Sequence, residues 1–546
     1  MSDANDNQPI AAVDKTEGHV ITCTVRKDYV GTTISGCLVQ VEAGGDVTLL
    51  QAGSVTTTNN AHEDPQLRHL VADRGHVPHH SETGDIERVE LHQLANYRKD
   101  TDQIGPARRN PSSGAPVHHV SDLTPWERET EYKAILGLTT GGRGVPVSVV
   151  NRNFGRQSKD EGNDNGGLNE ALHEAWFGQN GSAKTIGAVS RFCLRLAQNP
   201  DMGAILIDVK GDLQDDEKFK GRGGFEFRPH EFLNDAGREV VVVPLAEIAI
   251  ESGRFLMDVL AGWLKQVIST TADKASSIVS RALDRLDIDD TGESLVRVND
   301  GMISDIVSTL ISILPTQFSA KSAGQEKADI LASKPEKHAK DLAKKLQVML
   351  GSKPINGIVD MAFNEHRIVV IDVNIGSQRK DVLAEIVNSI KNRAKHYYKT
   401  RSMLANVSVY LDEGHNWIPE GESDRLSNGI ATCLRETRAY GVGWIIVSQS
   451  MADISKDVLK QSHTIYFGRN LGVGADRKHL ETALGKHIGQ YDMLSASGRF
   501  FFMAKGRDVN IGGDNAVLDF FTFDGDLNEQ LKKHNPHIFG GKGGDA

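Results

Sequence analysis

The segment GQNGSAKT, Gly178 to Thr185, carries the residue types that hold the phosphates of a nucleotide. In such a glycine-rich turn, successive backbone N–H groups point at phosphate oxygens. A lysine reaches the β- and γ-phosphates, and the next hydroxyl takes a place on Mg²⁺. Gly178, Gln179, Asn180, Gly181, Ser182, Ala183, Lys184 and Thr185 are the candidate nucleotide-binding residues, with Thr185 also on the metal. Ala183 stands where the pattern G-x-x-x-x-G-K-[ST] asks for glycine, the smallest possible departure. Far downstream, VSVYLDEGHNWIP reads as an apolar strand delivering Asp412 and Glu413 at its end. Asp412 suits the Mg²⁺ shell and Glu413 suits polarising an attacking water, the parts that ATP hydrolysis needs. The strand GWIIVS ends at Ser448-Gln449, where the Gln449 amide can bond the γ-phosphate or the water. CLRETRAYGVG places Arg435 and Arg438 on a helix before that strand, as candidates to neutralise charge developing in phosphoryl transfer. Such an arginine can serve its own subunit or a neighbour's, and Arg469 is a third candidate.

These side chains need a scaffold. LHEAWF before the loop reads as a strand, and TIGAVSRFCLRLA after it carries Ile186, Val189, Phe192, Cys193 and Leu196 at helical spacing. Further strands are expected at AILID (204–208), EVVVV (239–243), RIVVIDV (367–373), VSVYLD (407–412), GWIIVS (443–448) and TIYF (464–467). Near-continuous apolar runs of this kind mark parallel strands buried on both faces, here separated by helical patterns. The fold class is therefore α/β, with a parallel-type central sheet covered on both faces. Helical stripes at 255–267 and 302–311, and the basic KPEKHAKDLAKKLQVML, predict a helical insertion over 250–360.

Upstream, HVITCTV alternates, and CLVQV-(Gly44-Gly45-Asp46)-VTLL reads as a hairpin, so a small N-terminal β-barrel is expected. The domain division is 1–18 disordered, 19–145 barrel with polar loops, 146–508 core, and 509–546 a C-terminal segment. Thr124-Pro125-Trp126-Glu127 reads as a capped helix start. His62, His69, His76, His79 and His80 lack regular ligand spacing and read as a solvated loop, and DIDDTG (287–292) lacks the final glutamate of a calcium loop.

The 546 residues carry a formal charge of −11, which excludes an overall basic nucleic-acid coat but not a basic channel. Four cysteines without a C-x-x-C pair fit free buried thiols in a reducing compartment. No signal segment and no membrane-spanning apolar run is found, so the expectation is a cytoplasmic protein without a membrane partner.

Taken in order, GQNGSAKT, ILIDVKGD, RIVVIDV, LDEGHNWIP, LRETRAYGVGWIIVSQS and HTIYFGRN resemble the HerA branch of the HerA/FtsK superfamily of hexameric DNA-translocating ATPases. The resemblance covers about 370 residues from Asn151 onward. Gly414 and Trp417 replace the family's usual Ala and Phe after the acidic pair, and Thr437 and Ala439 depart from its R-E-G-R-K-Y-G. Where the family often has a basic residue acting on a neighbour's nucleotide, this chain has Leu172 and His173. The resemblance implies a RecA-like ATPase core, a homo-hexameric ring with ATP and Mg²⁺ at its interfaces, double-stranded DNA in its channel and a C-terminal segment, 509–546, that packs on a neighbouring subunit. DEKFKGRGGFEFR (216–228) is the candidate channel loop, with Lys218, Lys220, Arg222 and Arg228. It further implies a separate effector protein, a nuclease or an NADase, in the manner of anti-phage defence rings.

Two functions stand open on the sequence. One is a translocase or helicase driven by ATP. The other is a nucleotide-sensing ring that assembles and activates an effector with little translocation. A conjugative coupling ATPase shares the VKGD segment but would bring membrane anchors.

Overall fold

The computed structural model describes residues 8–18, 20–30, 34–59, 85–105, 110–127, 132–141, 144–154, 171–208, 210–219, 225–244, 247–289, 296–319, 322–373, 379–401, 403–421, 424–497, 500–511, 517–523 and 525–539. The N-terminal strands are β1 (Ala11–Glu17), β2 (Val20–Val25), β3 (Leu38–Ala43), β4 (Asp46–Asn59), β5 (Asp85–Arg98), β6 (Gln103–Gly105) and β7 (Pro116–His119). They run β2-β1-β7-β3-β4-β5-β6, and a β2–β5 pairing closes six of them into a barrel. Alternation builds it: Ile21, Cys23 and Val25 of β2 point inward with Val39, Val41 and Leu91. The β3–β4 hairpin turns on Gly44 and Gly45, at φ 61° and 88°, the positive angles a tight two-residue turn requires. Within 1–18, expected to be disordered, Ala11–Glu17 forms β1 instead, because Ala11 and Val13 bury their side chains in the barrel.

The second sheet has eleven strands. Seven are parallel in the order β13 (Val240–Pro244), β16 (Ile368–Asp372), β11 (Gly203–Asp208), β17 (Val407–Leu411), β18 (Val442–Ser448), β10 (His173–Phe177) and β19 (Ser462–Phe467). Four antiparallel strands follow, β20 (Phe501–Gly506), β21 (Val517–Phe521), β8 (Lys133–Thr139) and β9 (Pro146–Val150). The α/β class, the parallel-type central sheet and the small barrel are as the sequence implied. The apolar runs are explained by the two cores. Ile205 and Ile207 of β11 face one, and Ala204 and Leu206 face the other. The helix Lys184–Gln198 covers the second face through Val189, Phe192 and Leu196.

On the first face lie the helices Gly253–Ile268, Ala272–Arg285, Asp300–Ile313, Ala323–Ser333, Pro335–Lys345, Ile355–Asn364 and Arg379–Arg401. Ser252, Thr271, Asn299 and Ser322 cap four of them by accepting backbone N–H bonds. All four cysteines are free and buried, and burial pushes Cys23 and Cys433 up to about 12.

Three further placements differ from expectation. Thr124–Trp126 forms only a short 3₁₀ turn, with Asp122 accepting from the Thr124 N–H. Glu127 caps nothing there and instead accepts from the Ser148 hydroxyl and pairs with Lys133. Lys133–Thr139, read with the barrel, hydrogen-bonds into the core sheet. The C-terminal segment packs on its own chain: β21 extends the sheet, and Asn528 and Asn535 bond the backbone of Arg228 and Ile135. The five histidines of the 62–80 region lie outside the described residues.

Candidate active site

β10 delivers the loop at the C-terminal edge of the parallel strands, where open α/β sheets place their ligands. The loop is held by its backbone. The Gln179 N–H donates to the Arg469 carbonyl at 3.1 Å, and the Ser182 N–H to the Gln179 carbonyl at 3.1 Å. Gly178 admits no side chain, since a Cβ there would stand 2.5 Å from Ser182 Oγ. Gly181 turns at φ 80° and Ala183 at φ 57°, so the glycine of the usual pattern is replaced at a left-handed position. That substitution strains the chain by about 1 kcal/mol and leaves the turn intact.

Two polar groups at the helix start are left unsatisfied. Ser182 Oγ is buried without a hydrogen-bond partner. Lys184 is 5% exposed, and no hydrogen bond or ion pair is found for its ammonium among the described residues. Burial pushes its pKa down, with Glu413 and Asp412 partly opposing. A mostly buried lysine with no ion pair among the described residues fits an anion supplied from outside the chain. A nucleotide's phosphates fit this donor set, which comprises the amides of Asn180, Gly181 and Ala183, Ser182 Oγ and Lys184 Nζ.

The acidic pair follows β17, and β18 lies between that strand and β10. Leu411 is level with Ile446, so Asp412 and Glu413 leave their strand beside the end of β18, where Ser448 and Gln449 stand. Asp412 accepts from the Glu413 N–H at 2.8 Å. Burial raises its pKa, against the pull of Lys210. Glu413 sits at φ 52°, a left-handed conformation rare outside glycine. Gln449 Nε2 donates to both its oxygens, at 3.1 and 2.9 Å, and His415 Nδ1 lies 3.4 Å from Oε2. Burial would raise the Glu413 carboxyl, but the Lys210 and Gln449 hydrogen bonds and the lysine charges outweigh it and hold it low. Gly414 is required because a Cβ would meet Ile446 Cγ2 at 2.7 Å.

The structure adds one residue that the candidate set lacked. Lys210 bonds Glu413 Oε1 directly and lies 3.7 Å from Asp412 Oδ2. It sits in the turn after β11, which pairs with β17. The only hint in the sequence is that VKGD follows an apolar strand; its proximity to Glu413 depends on strand order.

The structure separates the arginines. Arg435 pairs with Asp457 at 2.8 Å, and Arg438 Nη1 lies 2.9 Å from His463 Nε2. Both precede β18, whereas Gln449 follows it, so roughly 20 Å of strand stands between them and the Glu413 end. They are not brought to the phosphate loop of their own chain. Arg469 is: its carbonyl holds the loop, and its Nε is buried without a partner. His173 is sealed. Its Nδ1 accepts from the Trp444 N–H at 3.1 Å, its Nε2 donates to the Leu434 carbonyl at 2.8 Å, and burial lowers its pKa to about 3. A neutral, enclosed ring of this kind cannot reach a neighbour's nucleotide. Arg228 of the expected channel loop is clamped by Glu231, Glu226 and Asp526 at 2.6, 2.7 and 3.0 Å. Lys220 and Arg222 lie outside the described residues, as does any account of the Lys218 side chain.

No family model and no curated protein matches this sequence. Among solved structures, the chain is similar to VirB4 of Thermoanaerobacter pseudethanolicus, at 13% identity over 72% of this chain and 96% of that one, TM-score 0.40. It is also similar to the plasmid coupling protein TrwB in complex with ADP and Mg²⁺, at 10% identity over 68% and 90%, TM-score 0.35. A third is the genome packaging NTPase B204 from Sulfolobus turreted icosahedral virus 2 in complex with AMP, at 10% identity over 65% and 98%, TM-score 0.29. Likeness at these scores carries no weight for function, which rests on the site.

Proposed function

We propose that the chain is an Mg²⁺-dependent ATPase that works on double-stranded DNA as a translocase or helicase, assembled as a homo-hexameric ring. The observation that carries the ATPase reading is Lys184, 5% exposed and without a hydrogen bond or ion pair among the described residues, lying within the electrostatic reach of Asp412 and Glu413. Lys184, Ser182 Oγ and the amides of Asn180, Gly181 and Ala183 bind and orient the triphosphate. Mg²⁺, held by the Thr185 hydroxyl and Asp412, would neutralise phosphate charge. Glu413 takes the proton of the water that attacks the γ-phosphorus as the bond to the bridging oxygen breaks, and Gln449 orients that carboxylate. Release yields ADP and phosphate.

The ring is supported by the position of Arg435 and Arg438, which can serve a nucleotide only if it belongs to another subunit. The motif order supports DNA as the track and a nuclease or NADase as a separate effector. No helix among the described residues is long and apolar enough to cross a membrane, and a cytoplasmic site of action is part of the proposal. The contact between Lys210 and Glu413 favours a second reading as well, a slow nucleotide-gated scaffold for an effector in phage defence.

The deciding experiment is ATP hydrolysis with and without linear duplex DNA, at low and moderate salt, beside Glu413→Gln. Turnover that rises with DNA, falls with salt and is lost in the variant supports the motor. Turnover indifferent to DNA supports the scaffold. Wild-type turnover in Glu413→Gln overturns the site itself.

A further inference from the structure

We infer that Lys210 is a positioning residue for hydrolysis, a latch that competes with the attacking water for Glu413. The inference rests on the ATPase reading above. Its first support is occupancy. Glu413 Oε1 accepts from both Lys210 and Gln449, and Oε2 accepts from Gln449 with His415 close by. A carboxylate so engaged has little capacity left for a water proton.

The second support is construction. The turn that carries Lys210 is fixed by Asp208, whose buried carboxylate accepts the N–H groups of Gly211, Asp212 and Leu213 at 2.8, 3.1 and 2.9 Å. Gly211 turns at φ 70°. Because Ile207 is level with Leu411, this turn lies beside the one bearing Asp412 and Glu413. A rigid base thus aims one flexible lysine at the reactive carboxylate from a neighbouring strand.

The third support is asymmetry. The Lys210 side chain is 42% exposed, whereas that of Glu413 is 3% exposed. The lysine can swing into water at small cost, while the glutamate cannot leave. Glu413 is also held in its left-handed backbone, so release must come from the lysine. The competing cation that remains inside is Lys184, which stays within the same charge cluster.

The test is steady-state ATP hydrolysis by the full chain, without DNA, for Lys210→Met and Lys210→Arg, with nucleotide binding followed by a fluorescent ATP analogue. Lys210→Met is expected to raise kcat about two- to fivefold with KM unchanged, the return expected from releasing one half-exposed ion pair. Lys210→Arg, which can grip both carboxylate oxygens, is expected to turn over more slowly than Lys210→Met. A fall in kcat for Lys210→Met overturns the latch and makes Lys210 a contributor to the reaction. A rise in KM with weaker analogue binding overturns it in favour of a phosphate ligand. Glu413→Gln is run alongside: if it hydrolyses normally the ATPase assignment has failed, whereas a dead Glu413→Gln with a slowed Lys210→Met sinks the latch alone.

Discussion

Lys184 and Glu413 make opposite demands on the same small volume, and variants should separate them. Lys184 is mostly buried and has no ion pair among the described residues, so its contribution is to binding. Lys184→Ala is expected to weaken ATP affinity roughly 10- to 100-fold, the worth of a charge-assisted hydrogen bond, as read by titration of a fluorescent analogue. Glu413→Gln should keep that affinity and lower kcat by ~10²–10⁴-fold, the range for a general base. Equal loss of affinity in both would contradict the division of roles. Ala183 is a third case. Its left-handed backbone means Ala183→Gly should stabilise the chain by up to about 1 kcal/mol in urea unfolding while leaving nucleotide affinity intact. A destabilised Ala183→Gly would show that the alanine methyl contributes packing that outweighs its strain.

At the level of elements, the loop is only as well placed as the helix Lys184–Gln198 and the strand β10. Gly187 lets that helix approach the sheet, since a Cβ there would stand 2.8 Å from the Trp176 ring. Trp176 in turn stacks on Tyr466 of β19, with centroids 3.8 Å apart. Beneath them is a fully buried charge cluster. Glu174 of β10 bonds Arg191 at 3.2 Å and also bonds Arg195, and both arginines lie within 3.6 Å of Asp508. Removing one member leaves the rest buried and uncompensated. Glu174→Gln is expected to lose about 3–5 kcal/mol of unfolding free energy, measured with urea, far more than a surface ion pair would. A loss below about 1 kcal/mol would mean that the arginines balance on Asp508 alone.

Across the whole molecule, two questions concern how bodies meet. Barrel and core join through Gln51 of β4, Asp519 of β21 and Gln490, with Gln490 bonding both of the others. Asp519 also accepts from Thr140, yet burial pushes its carboxyl up to about 7. A folded-state pKa above the unfolded one means the folded state binds more protons between about pH 4 and 7, so stability falls as pH rises through that window. Asp519→Asn should therefore melt higher than the parent near pH 8, with the gap closing toward pH 4–5, on the order of 4 kcal/mol at most. A pH-independent gap would remove the titration from this seam. The second question is the ring. If Arg438 serves a neighbour, inactive Arg438→Ala mixed with inactive Lys184→Ala should recover ATPase activity, because some interfaces then pair an intact loop with an intact arginine. No recovery under mixing conditions that exchange subunits would confine Arg438 to a structural role.

The sequence by itself determined the α/β class and the positions of the seven parallel strands, and it singled out the loop and the acidic pair as candidates for phosphate chemistry. Those signals are local: consecutive residues set an apolar run, a glycine turn or a strand-end carboxylate. The strand positions were legible to within one or two residues because burial on both faces leaves an unbroken apolar run, as in β11 and β16. What only the tertiary structure decided depends on strand order and on which end of a strand a residue occupies. Lys210 meets Glu413 because β11 pairs with β17, a fact no spacing encodes. Arg435 and Arg438, adjacent in sequence to the strand that leads to Gln449, are at its far end because a strand separates its two termini by its whole length. His173 is neutral because Trp444 and Leu434, some 260 to 270 residues away, consume both its nitrogens.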